Sequence, residues 1–262
     1  LKVVFGRPPF EDWARALIQA EQAMFSRSLH TITLHEIRHF IKSNEIDLFI
    51  PLTLADMRFS SLYDLGCERL SPQNFEIVRL LNEKNLFHDF MQYNGLADFL
   101  PDTYVVCTEE PRILQEIQYP AIFKPRVGAG GNGVQVLTEK SSYLEDRKNY
   151  IVQEYISGQQ EYIGNYVFFR GNRVFSKVLT QTYDGEFTVK RGKMTDFETV
   201  DDFDHQRFSA IFSALNFTGA ICIDFKMIGS DIKIFEINPR FGGTVACNYM
   251  TEVLRSLALL EN

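Results

Sequence analysis

The sequence predicts an α/β protein whose C-terminal part is α+β. Three observations carry that prediction. Apolar runs alternate with helical periodicity through residues 1–80, as in a parallel strand–helix–strand unit. From Thr103 onward, short apolar runs follow one another with turn residues between them, as in hairpins. Near the end, Ile234-Phe235-Glu236-Ile237-Asn238 finishes an apolar run on two side chains that offer oxygen donors.

Lys2-Val3-Val4-Phe5 is the first expected strand. Glu11 to Ser28 is an amphipathic helix, with Trp13, Ala16, Leu17, Ala20 and Met24 near helical spacing. Thr31 to Leu34 is a possible second strand, and His35 to Ser43 a helix. Ile46 to Ile50 is a strand that Pro51 ends. Ser71-Pro72 opens a helix, with Ser as cap and Pro at the first helical position. A further helix runs from about Asn82 to Tyr93 and stops at Asn94-Gly95. Strands follow at Thr103–Thr108, Pro120–Lys124, Val134–Leu137, Tyr150–Tyr155 and Tyr162–Arg170, with a hairpin turn at Gly171-Asn172. Phe203 to Leu215 is a helix, Ile221–Met227 and Ile232–Ile237 form a hairpin, and Asn248 to Leu260 is the last helix.

At 262 residues the chain is long enough for two or three modules, and its 45% hydrophobic content supplies a core. A net charge of −7 argues against nucleic acid as the main partner, because phosphate neutralisation needs a basic face. Four cysteines without metal-type spacing suit reduced thiols in the cytoplasm. No apolar run reaches the roughly 18 residues of a membrane span. The chain opens on Leu1 rather than Met, which points to a start inside a longer protein or to a lost residue.

Gly128-Ala129-Gly130-Gly131-Asn132-Gly133 places glycines at the spacing of a dinucleotide fingerprint, but a β-like run follows where that fingerprint needs a helix. The alternative is a loop between two strands whose amides approach phosphate oxygens without Cβ clashes, with Lys124 as a point charge at the strand end. An ordinary glycine-rich hairpin has the same pattern. A protein kinase does not fit, because Ile223-Asp224-Phe225-Lys226 lacks the glycine of its metal-binding motif and no matching catalytic loop is present. Gln153-Glu154-Tyr155-Ile156 suits a hinge that pairs its backbone with an adenine edge, with Glu161 within reach of a ribose hydroxyl. The same run also fits a plain edge strand. Asp224 with Glu236-x-Asn238 is the strongest signal. Acids alternating with Ile223, Phe225, Phe235 and Ile237 suit a cleft floor, and gathered oxygen donors suit Mg²⁺ with its phosphate partners. Arg240 beside Gly242-Gly243 suits an anionic group, with a surface arginine as the alternative. The histidines lack a zinc context.

Taken in order, Pro120 to Pro125 with the glycine loop, Gln153 to Gly158 with Glu161, Gly219-x₄-Asp224-Phe225, and Phe235 to Arg240 resemble the ATP-grasp superfamily, which includes carbamoyl-phosphate synthetase, biotin carboxylase and D-alanine–D-alanine ligase. The resemblance spans about residues 70–250, and residues 1–80 look like its pre-ATP-grasp, Rossmann-like module. It implies a linking helix and strand at 81–105, a lid at 106–175 and a metal-bearing C-terminal subdomain at 176–262. It implies ATP and Mg²⁺ (or Mn²⁺) as cofactors. Lys84 and Lys124 would contact phosphates, Gly128, Gly130, Gly131 and Gly133 would cover them, Glu154, Tyr155 and Ile156 would frame adenine, and Glu161 the ribose. Asp224, Glu236 and Asn238 would hold the metal, and Arg240 would face the transferring phosphate. The implied reaction joins a small-molecule carboxylate to an amine through an acylphosphate. A phosphotransferase and a non-catalytic ATP-binding subunit are the alternatives, and a homodimer is the expected assembly. Some members carry an arginine where Cys222 stands, so Lys177 or Arg191 is expected to supply that charge, and Lys226 is expected to point away. The chain ends soon after the last motif, so a C-terminal domain of larger members falls outside it.

Overall fold

β1 (Val3–Phe5), α1 (Glu11–Met24), α2 (Ile37–Asn44), β2 (Leu48–Ile50), α3 (Leu54–Leu62) and β3 (Glu68–Arg69) form the first unit. Its three strands are parallel, in the order β1-β2-β3. β2 is buried at every residue: Leu48 and Ile50 join Trp13 and Leu17 of α1, while Phe49 joins Ile37 and Ile41 of α2. A parallel strand covered on both faces carries no polar alternation, which is why it reads as a continuous apolar run. The computed structural model describes residues 1–24, 37–105, 117–128, 131–139, 149–183 and 194–261. The strand expected at Thr31–Leu34 lies outside them. α3 was not expected. A capping box starts it: Thr53 accepts from the Asp56 amide, and Asp56 Oδ2 accepts from the Thr53 amide.

α4 (Phe75–Asn82) and α5 (Lys84–Tyr93) follow. Asn74 caps α4 by accepting from the Glu76 amide, so the helix starts there and not at Ser71-Pro72. The preceding residues stay extended because the Leu70 amide still pairs with the Phe49 carbonyl of β2.

β4 (Thr103–Val105), β5 (Ala121–Pro125), β6 (Gln135–Leu137) and β7 (Tyr150–Glu154) make a four-stranded antiparallel sheet, ordered β4-β7-β5-β6. β8 (Gln160–Phe169), β9 (Asn172–Tyr183), β10 (Met194–Thr199), α6 (Ser209–Leu215), β11 (Gly219–Ile228) and β12 (Asp231–Asn238) build the next unit. Its five strands run antiparallel in the order β10-β9-β8-β11-β12. The span 106–175 therefore crosses two sheets: the four-stranded sheet ends at Glu154, and β8 belongs to the five-stranded one. The β8–β9 turn is Arg170-Gly171, with φ of 50° and 76°, one residue earlier than expected. The helix expected at Phe203–Leu215 is a 3₁₀ turn at His205–Phe208 followed by α6. The helix expected at Asn248–Leu260 is α8 (Met250–Ala258), and a short unexpected helix, α7 (Gly243–Asn248), precedes it.

Two apolar clusters hold these units together. One joins β1, β2 and α1 to Val253, Leu254 and Leu257 of α8 and to Val167 and Phe175 of the large sheet. The other fills the opposite face of that sheet, where Ile223, Phe225, Ile234 and Ile237 meet Leu81, Phe87 and Met91 of α4 and α5. No helix among the described residues is long and apolar enough to cross a membrane.

Candidate functional site

The β11–β12 hairpin carries the acids. Asp224 pairs directly with Glu236, but Phe225 pairs with Ile234, so Phe235 is an extra residue in β12. This β-bulge resets the alternation. Ile234 and Ile237 both stay in the core although they are three apart, and Glu236 is left on the cleft side, facing Asp224. Directly paired residues on one face hold their Cβ atoms about 4.5–5.5 Å apart. Asn238, two residues on, shares that side, and its Nδ2 donates to Glu236 Oε1 at 2.9 Å.

Lys84 starts α5 and is buried. Its amide donates to the Arg126 carbonyl at 2.9 Å, and its ammonium donates to the Gly128 carbonyl at 3.4 Å and lies 3.4 Å from Glu236 Oε2. One residue thus ties the helix, the glycine loop and the acid strand together. Lys124 on β5 is 5% exposed and donates to Gln153 Oε1 at 2.7 Å and to the Phe235 carbonyl at 2.9 Å. Burial, then the neighbouring Lys84, pull its pKa down to about 7, against the opposing pull of Glu236, Asp224 and Glu161. The bulge carbonyl is therefore the anchor between the two sheets.

Gly128, Gly131, Glu154, Tyr155, Ile156 and Glu161 border the same cleft. Gly133 has φ of +75°, and a Cβ there would stand 2.8 Å from Pro125 Cγ, so only glycine lets the loop fold back on β5. Gly130 lies outside the described residues. Glu154 Oε2 accepts from the Asp102 amide at 3.3 Å.

Sequence reasoning missed two residues here. Gln153 fixes Lys124 and in turn donates to Thr103 Oγ1 at 2.8 Å. Lys226 does not point away: it is buried at the cleft, donates to the carbonyls of Ile156 and Gly158, and lies 5.5 Å from the Tyr155 ring centroid. Burial lowers its pKa and Glu161 opposes that shift. The signal was available, because Lys226 is two residues from Asp224 on a strand and must share its face.

Arg240 and Lys177 stand apart from the cleft walls. Arg240 Nη1 donates to Asn238 Oδ1 at 3.4 Å. Lys177 Nζ lies 3.2 Å from Glu252 Oε2 and 4.3 Å above the Tyr249 ring, held by α8 rather than by the acids. Cys222 is paired with Asn238 and sits under Gly242, where an added Cβ would be 2.9 Å from its Sγ. Arg191 lies outside the described residues.

Among the described residues no group of three or more His, Cys, Asp and Glu gathers. The candidate centre is two carboxylates and a carboxamide. Hard oxygen donors on facing strands, with an ammonium drawn to one of them, fit a hard divalent cation.

Comparison with known proteins bears on this arrangement. A family model for the ATP-grasp domain matches residues 93–244. The carbamoyl phosphate synthase large chain of Thermoplasma volcanium is 24% identical over 255 residues, which cover 86% of this chain and 24% of that relative. The chain thus spans about a quarter of the length of the curated relative it matches. D-alanine–D-alanine ligase of Bacillus anthracis is similar in fold, with a TM-score of 0.66 at 17% identity over 99% of this chain and 97% of that one. N5-carboxyaminoimidazole synthetase of Staphylococcus aureus, complexed with ADP, gives a TM-score of 0.67 at 13% identity over 93% of this chain and 72% of that one.

Proposed function

Because the chain belongs to the ATP-grasp family, we propose that it is an ADP-forming ligase that joins a small-molecule carboxylate to an amine, using ATP and Mg²⁺ (or Mn²⁺). One observation carries the reading: Lys84 and Lys124 converge with Asp224 and Glu236 on a single cleft bordered by a glycine loop and an apolar hinge. The names of the similar proteins, a D-alanine–D-alanine ligase and a carbamoyl phosphate synthase, support the same class of chemistry.

In this reading the adenine lies along Glu154 to Ile156 and the ribose against Glu161. Lys124 has three N–H donors and uses two on the protein, which leaves one for the nucleotide. The amides of Gly128 to Gly133 cover the phosphates, and Lys84 turns from Glu236 toward them. Asp224, Glu236 and Asn238 would hold Mg²⁺, which when bound neutralises charge on the transferring phosphoryl group. The acid's carboxylate oxygen attacks the γ-phosphorus and ADP leaves. The amine then attacks the acyl carbon and phosphate departs. Arg240, beside Asn238, faces the phosphate and takes the role of the arginine that Cys222 replaces. Lys177 would reach the acids only by releasing Glu252. The lid is the four-stranded sheet of β4 to β7. Residues 1–80 serve as the Rossmann-like pre-ATP-grasp module, and the acids bound for ligation sit between it and Arg240.

A screen of carboxylates crossed with amines, read by phosphate release, tests this. A ligase releases phosphate only with both partners, and hydroxylamine traps its acylphosphate as a hydroxamate. A stable phosphorylated product without free phosphate would instead identify a phosphotransferase. Mg-ATP binding with no turnover across the matrix would identify a non-catalytic subunit.

A further inference from the structure

The chain enters the four-stranded sheet after Leu100 and leaves it after Glu154. A lysine of the β11–β12 hairpin ties down each passage. Lys226 donates to the carbonyls of Ile156 and Gly158, and its direct cross-strand partner Lys233 donates to those of Asp98 and Leu100 at 3.0 Å each. Beside the entering passage lies a groove that shares no residue with the cleft described above. His88 and Gln92 come to it from α5 and Thr103 from β4, while Asp98, Asp102 and Lys233 complete its border. Both α5 and β4 lead on to the cleft. α5 begins with Lys84, about one turn before His88. Thr103 Oγ1 accepts from Gln153 at 2.8 Å, and Gln153 Oε1 accepts from Lys124 at 2.7 Å.

We propose that this groove is a regulatory site for a free α-amino acid, and that its occupant opposes nucleotide binding in the cleft. Lys233 Nζ has three N–H donors and spends two on the Asp98 and Leu100 carbonyls, so one remains for a carboxylate. The side chains of Asp98 and Asp102 make no hydrogen bond or ion pair among the described residues, so both are available to an ammonium. One cationic donor and two carboxylates on a single groove match a small zwitterion in both signs. An anion alone would meet the two acids, and a cation alone would meet Lys233. Gln92 and His88 offer polar partners to the amino acid's side chain. An occupant held by Lys233, by Asp102 just before β4 and by α5 fixes the angle between that helix and the four-stranded sheet. At the angle so fixed, Lys84 is paired with Glu236 at 3.4 Å. A ligand shifts an equilibrium toward the arrangement it fits best, so the amino acid keeps Lys84 on the acid. This coupling rests on the cleft holding a nucleotide to which Lys84 turns, as proposed above.

Saturation-transfer NMR of the whole chain with each of the twenty free amino acids identifies the binder, and calorimetry then measures it with and without Mg-ADP. At least one amino acid is expected to bind. Its N-acetyl and carboxamide derivatives are expected to bind about tenfold or more weakly, since each loses one charged contact. The double variant Asp98→Asn, Asp102→Asn is expected to weaken the parent amino acid by a similar factor, with the urea midpoint little changed. A saturating amino acid is expected to raise the Kd of Mg-ADP about fivefold or more, and Mg-ADP to raise the Kd of the amino acid by the same factor. A binder indifferent to the double variant sits elsewhere and overturns the proposal. Unchanged or tighter Mg-ADP binding overturns it too. A derivative that binds as well as the parent overturns it on wild-type protein alone, and so decides the case if the double variant fails to fold. Absence of any amino-acid binder in a chain that binds Mg-ADP overturns the groove assignment and leaves the cleft untouched. Failure to bind Mg-ADP removes the nucleotide reading and the coupling with it, a distinct result.

Discussion

Lys124 gives up its proton near pH 7 in the folded chain and near 10.5 when solvated, because burial strips its water and Lys84 adds a like charge. Between those values the unfolded chain binds one proton more than the folded one, so stability rises with pH across that window. Below about pH 7 the burial penalty of the charged form is felt in full. Urea titrations of metal-free protein from pH 7 to 10 are expected to show this rise, and Lys124→Met to flatten it. Glu236 is the partner whose loss is most specific. Glu236→Gln keeps shape and the Asn238 contact but removes the charge beside Asp224. We expect it to weaken the Mg²⁺-dependent gain in ATP affinity about tenfold or more, with the urea midpoint little changed. ATP titrations with and without Mg²⁺ measure this, and an undiminished gain would argue against the metal role. The acids were legible in the sequence because polar residues interrupt an apolar run at strand spacing. Gln153 was not, since a buried glutamine is explained only by the ammonium it meets from another strand.

At the scale of elements, the bulge at Phe235 determines where the acids face. The sequence shows Ile234 and Ile237 three apart, a spacing that breaks strand alternation and suits a helix turn, and only the cross-strand register resolves it. α3 escaped notice for a related reason: its apolar residues are not gathered on one face, and the capping box at Thr53 and Asp56 was its sole clear mark. The loop after β12 carries a prediction of its own. An added methyl on Gly242 would stand 2.9 Å from Cys222 Sγ and 3.0 Å from Asn165 Oδ1. Gly242→Ala is expected to destabilise by about 1–3 kcal/mol through overpacking. Cys222→Ala, by removing the sulfur, should recover a sizeable part of that loss in the double variant, a coupling that urea unfolding can measure. Strict additivity would show that the methyl meets something else.

For the whole molecule, the shared cluster matters more than the division into modules. Pattern reading separated residues 1–80 as a unit of their own; β1, α1, α2 and β2 stand where it expected them, whereas α3 and β3 were not expected. What periodicity could not show is that α8 joins the apolar cluster of that unit by packing on α1, since burial by a distant helix leaves no local trace. The chain should therefore unfold as one body. Trp13 is the sole tryptophan and packs between α1 and Gly243, so its fluorescence reports the first unit. Leu257→Ala, in the fully buried α8 face, is expected to cost about 2–5 kcal/mol. Its effect should appear equally in Trp13 fluorescence and in far-ultraviolet dichroism, with coincident transitions. A tryptophan signal that ignored the substitution would show that the first unit stands alone.

The same burial of the opening unit against α8 has a consequence for biosynthesis. Leu17, Leu48 and Ile50 leave the ribosome long before the leucines and valine of α8 that share their apolar cluster. Until translation passes Leu257, this cluster has only the cover that α1 supplies, so the beginning of the nascent polypeptide keeps part of its apolar surface exposed while it waits for its end.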